Sequence, residues 1–183
     1  MKLNIRKATA ADASFVAKVV LMALHYDETH PFYEIFKELA ARTDAQYSYC
    51  NALIAEVDGV QAGAIVGYDG ARLQELREPL MAIVRERQGR ELEIEDETSA
   101  GEYYLDSLAV LPSFRGMGVG GKLLAAARDN AFEEGFDKVG LLVDSANPRA
   151  EKLYTSLGFR RVNATKFLGL DMWHMQAQRK CDK

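Results

Sequence analysis

The sequence predicts a single mixed α/β domain, and three observations lead there. Its 183 residues suit one hydrophobic core. Strand-like and helix-like apolar patterns alternate along the chain without a linker, repeat or low-complexity block. The balance of 48% hydrophobic and 27% charged residues is ordinary for a soluble globular protein. Residues 1–178 are expected to form the domain, with a helical insertion at 71–101 and a polar tail at 179–183.

Taken in order, Leu3 and Ile5 alternate with polar neighbours, as in a half-buried strand. Capping residues between Thr9 and Asp12 precede Phe15, Val16, Val19, Val20, Ala23 and Leu24, which predicts a helix over about 11–25. A second short helix, about 32–41, follows Pro31. Residues 48–57 and 60–68 flank Asp58-Gly59, a dipeptide suited to the positive φ angles of a tight hairpin turn. Over 71–88, Leu73, Leu76, Leu80, Ile83 and Val84 recur at helical spacing, and Pro79 is expected to kink that helix or start another. Residues 91–101 are acidic and read as a loop, with Leu92 and Ile94 able to form part of an edge strand. A strand at 103–111 stops at Pro112, and a helix follows at 118–134. A short buried strand covers 138–143. Asn147-Pro148 opens another helix, with Asn as N-cap and Pro in the first turn, and Gly158 closes it. Strands at 159–162 and 167–175 complete the chain.

Composition excludes several classes. A net charge of -4 gives no general drive toward nucleic acid or anionic membrane. Cys50 and Cys181 form no CxxC pair and have no histidine at metal-ligand spacing, so neither a disulfide framework nor a metal site is expected. The first seven residues lack the apolar core of a signal peptide, and no apolar run is long enough to span a bilayer. The expected location is the cytoplasm.

The informative stretch runs from Leu108 to Leu124. Four glycines, Gly116, Gly118, Gly120 and Gly121, fall within six residues between a strand and a helix. Glycine opens φ angles closed to other residues and removes side chains that would block a close ligand. N–H groups at the turn and first helical turn then face an anion site, where the helix dipole adds about half a positive charge. A pyrophosphate suits that site, with Arg115 and Lys122 as supplements. Gly116, Gly118 and Gly121 also satisfy the dinucleotide pattern GxGxxG, but Pro112-Ser113-Phe114-Arg115 separates them from the strand, so an NAD-binding oxidoreductase is the weaker reading.

Here the sequence strongly resembles the GCN5-related N-acetyltransferase (GNAT) family. Arg115-Gly116-Met117-Gly118-Val119-Gly120 fits that family's (Arg/Gln)-x-x-Gly-x-(Gly/Ala) signature, and Leu108-Ala109-Val110-Leu111-Pro112 is its usual lead-in. The stretch from Asn147 to Tyr154, followed by Leu157-Gly158-Phe159, matches a second motif. The resemblance covers about 102–175. It implies a twisted, mostly antiparallel central sheet with helices on both faces. It implies acetyl-CoA as co-substrate, entering between two strands that splay, and direct attack by an amine without a covalent enzyme intermediate.

The resemblance also implies contacts with the cofactor by Leu108, Ala109, Val110, Arg115, Gly116, Met117, Gly118, Val119, Gly120, Gly121, Lys122, Asn147 and Tyr154. The Val110 backbone N–H is the candidate for the thioester carbonyl. Asn147 is expected both to cap its helix and to touch the pantetheine arm. Tyr154, two helical turns after Asn147, is the candidate general acid toward the departing sulfur. Strand alternation puts Tyr104, Asp106 and Leu108 on one face, which makes Asp106 the candidate base through water, with Glu102 further off. Asp106 as a substrate-binding or turn-capping residue stays an equal alternative. His25, His30 and His174 carry little functional weight. The acidic run Glu91, Glu93, Glu95, Asp96, Glu97 reads first as a solvated face; with Asp27, Glu28 and Glu34 it would favour a cationic acceptor. The acceptor's identity, the acyl length and the choice between monomer and homodimer stay open, as does a non-catalytic acyl-CoA-binding module.

Overall fold

The computed structural model describes residues 2–180. Seven strands form one sheet: β1 (Leu3–Lys7), β2 (Ala52–Val57), β3 (Val60–Asp69), β4 (Tyr103–Val110), β5 (Lys138–Asp144), β6 (Arg160–Phe167) and β7 (Leu170–Gln178). Five helices cover it: α1 (Ala13–Ala23), α2 (Tyr33–Ala41), α3 (Leu73–Gln88), α4 (Val119–Glu133) and α5 (Pro148–Ser156). The sheet order is β1-β2-β3-β4-β5-β7-β6, and every neighbouring pair is antiparallel except β4 with β5. This is the mostly antiparallel sheet with helices on both faces that the family resemblance implied.

Strand alternation divides the core between the two faces. Ile54, Ala64 and Val66 point to one side, where α1, α2 and the second half of α3 supply Val16, Val20, Phe36, Leu39, Leu80 and Val84. Ala55, Ile65 and Leu105 point to the other, where Leu123, Leu124 and Ala127 of α4 meet Phe159 and Met175. Asp58 (φ 50°) and Gly59 (φ 84°) make the β2–β3 turn as expected.

Four expectations need correction. Pro79 lies inside one continuous helix, α3. Its core-facing stripe, Leu73, Leu76, Leu80, Ile83 and Val84, is buried on both sides of the proline, so packing outweighs the one backbone donor lost. Leu92 and Ile94 form no strand and instead pack against the α1–α2 core from an irregular segment. The last hairpin turns at Leu168-Gly169, both at positive φ, so β6 extends to Phe167 where the sequence suggested a stop at 162. Strand β6 is a sheet edge and mostly exposed, so its residues show no buried alternation to read. Glu97, finally, is buried, although the acidic run had read as solvated.

Candidate active site

The strand pair β4–β5 opens like a fork. β4 pairs with β3 from Tyr103 to Val110, but with β5 only through Tyr103↔Val139 and Tyr104↔Gly140. Beyond those pairs β5 continues along β7 to Asp144. The β3–β4 register shifts between Val66 and Gly67, leaving Asp106 without a partner. Such a bulge bends its strand and increases its twist, which carries β4 away from β5. Backbone N–H groups alternate sides along a strand. Leu111 donates its N–H to Ala62 O on the β3 side at 2.8 Å, so the N–H of Val110 points into the fork. The Arg115 side chain reaches the Val110 carbonyl at 3.1 Å (Nε donating) and ties the glycine turn to the strand end.

That turn lies at the mouth of the fork. Gly116 and Gly118 both adopt φ 78°, a conformation costly for other residues, and a Cβ on either would meet open space. Among the described residues, no protein acceptor takes the N–H groups of residues 116–121; the first engaged amide is that of Lys122, on Gly118 O at 3.2 Å. Six unengaged amides at the start of a fifteen-residue helix make a strong anion cradle. The residues therefore fit a diphosphate, and Arg115 and Lys122 are both exposed beside it. Gly120 packs near Val110 and Gly121 near Leu153, so α4 closes against both β4 and α5.

The second motif flanks the same opening. Asn147 Oδ1 accepts from the Ala150 N–H at 3.1 Å, the expected N-cap of α5. Tyr154 packs against Phe159 with ring centroids 6.3 Å apart. Among the described residues no protein group bonds its hydroxyl, which is not sealed from solvent. Burial raises its pKa, so the phenol keeps its proton and remains a donor at neutral pH.

The bulge at Asp106 corrects one placement. Leu108 and Val110 turn toward α4, whereas Tyr104 lies against Tyr68 and Leu76 on the opposite face. Leu108 therefore does not share a face with Tyr104 and Asp106, because the extra residue reverses the alternation. Asp106 enters a network that sequence reasoning missed. Its Oδ2 accepts from Gln46 Nε2 at 2.8 Å and from Tyr68 Oη at 2.9 Å, and its Oδ1 from Ser107 Oγ at 2.7 Å. Gln46 Nε2 also lies 2.7 Å from Glu97 Oε1, and Tyr68 Oη lies 3.1 Å from it. The other Glu97 oxygen pairs with Arg77, whose second nitrogen reaches Asp96 at 3.0 Å. Burial, helped by the Asp106 charge, pushes Glu97 up to about 7. Burial also raises Asp106, against the pull of its hydrogen bonds. One sequence signal existed: Arg77 stands on the apolar stripe of α3, and a buried arginine requires a buried carboxylate.

The histidines lie apart from this network. His174 sits between Asn163 Oδ1 and the Glu102 carboxylate, which Thr98 and Gln176 also bond. His30 stacks between Tyr26 and Phe32, and His25 is exposed at φ 63°.

A half-opened strand pair with a free-amide cradle at its mouth is the arrangement that the resemblance to acetyl-CoA-dependent transferases implied. The chain belongs to the acetyltransferase (GNAT) family, whose profile matches residues 21–159. That family is one of acetyltransferase enzymes. A crystal structure described as an acetyltransferase is similar at 34% identity and TM-score 0.81, covering 96% of this chain and 98% of that one. The fold is also that of an N-acetyltransferase from Staphylococcus aureus Mu50, with 22% identity, TM-score 0.82, and coverage of 95% of this chain and 100% of that one. It is shared with the PaiA N-acetyltransferase of Thermoplasma acidophilum in complex with coenzyme A, at 19% identity and TM-score 0.58, covering 98% of this chain and 100% of that one. Mycothiol acetyltransferase of Corynebacterium aurimucosum is 45% identical over 65 residues, 36% of this chain. That match spans about a fifth of the relative's length, 21%. The GxGxxG reading fails, because a dinucleotide fold needs a doubly wound parallel sheet and this sheet has one parallel pair.

Proposed function

We propose that the enzyme transfers acetyl from acetyl-CoA to a primary amine of a small molecule or protein by direct attack, in the cytoplasm and without a metal. The unengaged amides of residues 116–121 at the mouth of the β4–β5 fork carry this reading. Bound there, acetyl-CoA supplies the activated thioester. The amides from Gly116 to Gly121, with Arg115 and Lys122, hold the diphosphate, and Leu108, Ala109, Val110 and Asn147 line the path of the pantetheine arm. The Val110 N–H holds the carbonyl oxygen as it gains charge, a contribution of about 10²–10³ in rate where such donors have been removed. Tyr154 donates its phenolic proton toward the departing sulfur. Asp106 takes the amine's proton through water, a task suited to a carboxylate whose burial raises its proton affinity. Exposed Glu93, Glu95 and Asp96 favour a cationic acceptor by long-range attraction.

The test is thiol release from acetyl-CoA with spermidine, an aminoglycoside and a lysine-containing peptide as acceptors. At least one amine is expected to release thiol above the rate of hydrolysis, and Asp106→Asn is expected to lower kcat/KM about 10²-fold. Calorimetry showing no acetyl-CoA binding would overturn the reading.

A further inference from the structure

We propose that Glu97 and Asp106 share one proton through the Tyr68 hydroxyl, so that Glu97 is a positioning residue that sets the proton affinity of Asp106. The inference deepens the reading of Asp106 as base and rests on it for its effect on rate. It comes from counting protons. Gln46 Nε2, Tyr68 Oη, Glu97 Oε1 and Asp106 Oδ2 make five contacts of 2.7–3.1 Å among themselves. Gln46 Nε2 brings two protons and Tyr68 one. With both carboxylates ionised, two oxygens compete for the single tyrosine proton, and Glu97, the more deeply buried of the two, is shielded from a replacement water. One added proton on either acid resolves this: the protonated acid donates to Tyr68 Oη, whose own O–H then serves the other carboxylate. Turning the Gln46 amide does not help, because its oxygen would then face the carboxylates.

Two further contacts place the proton on these oxygens. Glu97 Oε2 is held by Arg77, and Asp106 Oδ1 by Ser107. The groups facing the pair are Tyr47, Tyr68, Tyr104 and Arg77, with Asp96 beyond Arg77; burial raises all three tyrosines, which therefore stay neutral. A proton received on Asp106 Oδ2 passes to Tyr68 Oη as the tyrosine's own proton moves to Glu97 Oε1. Bonds balance and no charge is left on the phenol. Glu97 belongs to the segment between α3 and β4, so that insertion completes the proton path of the strand it precedes.

The test is carbon-13 NMR of labelled Asp and Glu carboxyls in the free protein, from about pH 5 to about pH 9. Two carboxyls titrating as a coupled pair, with one still protonated at pH 6, are expected, and both signals should change when Glu97→Gln is introduced. The acid limb of kcat/KM, with one fixed amine, should move down by about one pH unit or more in Glu97→Gln, because Asp106 loses a like charge. Two carboxyls both ionised across the range overturn the shared proton. A coupled pair in the NMR with an unmoved pH profile keeps the shared proton and removes Asp106 as the base. Because Glu97→Gln keeps volume and a hydrogen-bonding head, its thermal unfolding provides a control for structure. Tyr68→Phe is the second variant: the two carboxyls should then titrate without a common step.

Discussion

Replacing Arg77 with Met should cost this protein more stability than almost any other single polar substitution. The Arg77 side chain is only 6% exposed and the Glu97 side chain only 2%. Arg77 also donates to the carbonyls of Ile94 and Glu95, each at 3.2 Å, so one side chain pins the whole acidic segment beneath α3. Met fills the same stripe of α3 but leaves Glu97 facing Asp106 without a cation. Removing one partner of a buried pair typically costs about 3–5 kcal/mol. For a chain of this size that is a fall in Tm of roughly 6–20 °C. The pH dependence identifies the cause. Glu97 binds its proton more tightly folded (about 7) than unfolded (4.5), so native stability declines as pH rises between those values. Without Arg77 the folded carboxyl rises further, so the decline extends to higher pH. The gap between variant and wild type, followed by urea unfolding, should therefore be larger at pH 8 than at pH 6. Arg77→Met/Glu97→Gln should recover part of the loss at pH 8. A variant within about 1 kcal/mol of wild type at pH 8 would refute the buried pair.

Other positions give independent checks. Tyr154→Phe should lower kcat by about 10²-fold or more while the Kd for acetyl-CoA stays within a factor of about three, read by stopped-flow thiol release and calorimetry. Gly118→Ala forces a Cβ onto a backbone at φ 78°, so it should cost about 1–2 kcal/mol by urea unfolding and also weaken acetyl-CoA binding, since the methyl points into open space at the cradle. A methyl at Gly140 would overlap the Glu102 carboxylate, so Gly140→Ala should destabilise by about 1–3 kcal/mol and disturb the His174 ring in proton NMR. Replacing Glu93, Glu95 and Asp96 with Gln and Ser should raise KM for spermidine at low salt and leave it unchanged at high salt; equal KM at low salt removes the electrostatic role.

Much of the fold is local and was readable. Asp58-Gly59, Asn147-Pro148 and Gly158 act through their own backbone preferences, and they mark their turns and caps wherever they occur. The glycine turn of 116–121 belongs with them, because a positive φ and unbonded amides are properties of a few consecutive residues. Pro79 misleads for the opposite reason. Its effect on α3 depends on what the helix packs against, and Leu73 to Val84 bury the same stripe on both sides of it. Glu97 looked like one solvated carboxylate among five, because nothing adjacent in the chain shows that Arg77, twenty residues earlier, meets it in the core.

The sequence alone determined the cradle, the capped α5 helix bearing Tyr154 and the alternation that makes a mixed sheet, since each arises from interactions within a few residues. Tertiary structure decided the rest. A one-residue bulge at Asp106 turned Leu108 to the opposite face, opened β4 from β5, and set Asp106 among Gln46, Tyr68 and Glu97, which are 60, 38 and 9 residues away. Register and burial arise from pairing between distant segments, and a buried charge acquires its chemistry only from the neighbours that folding brings to it.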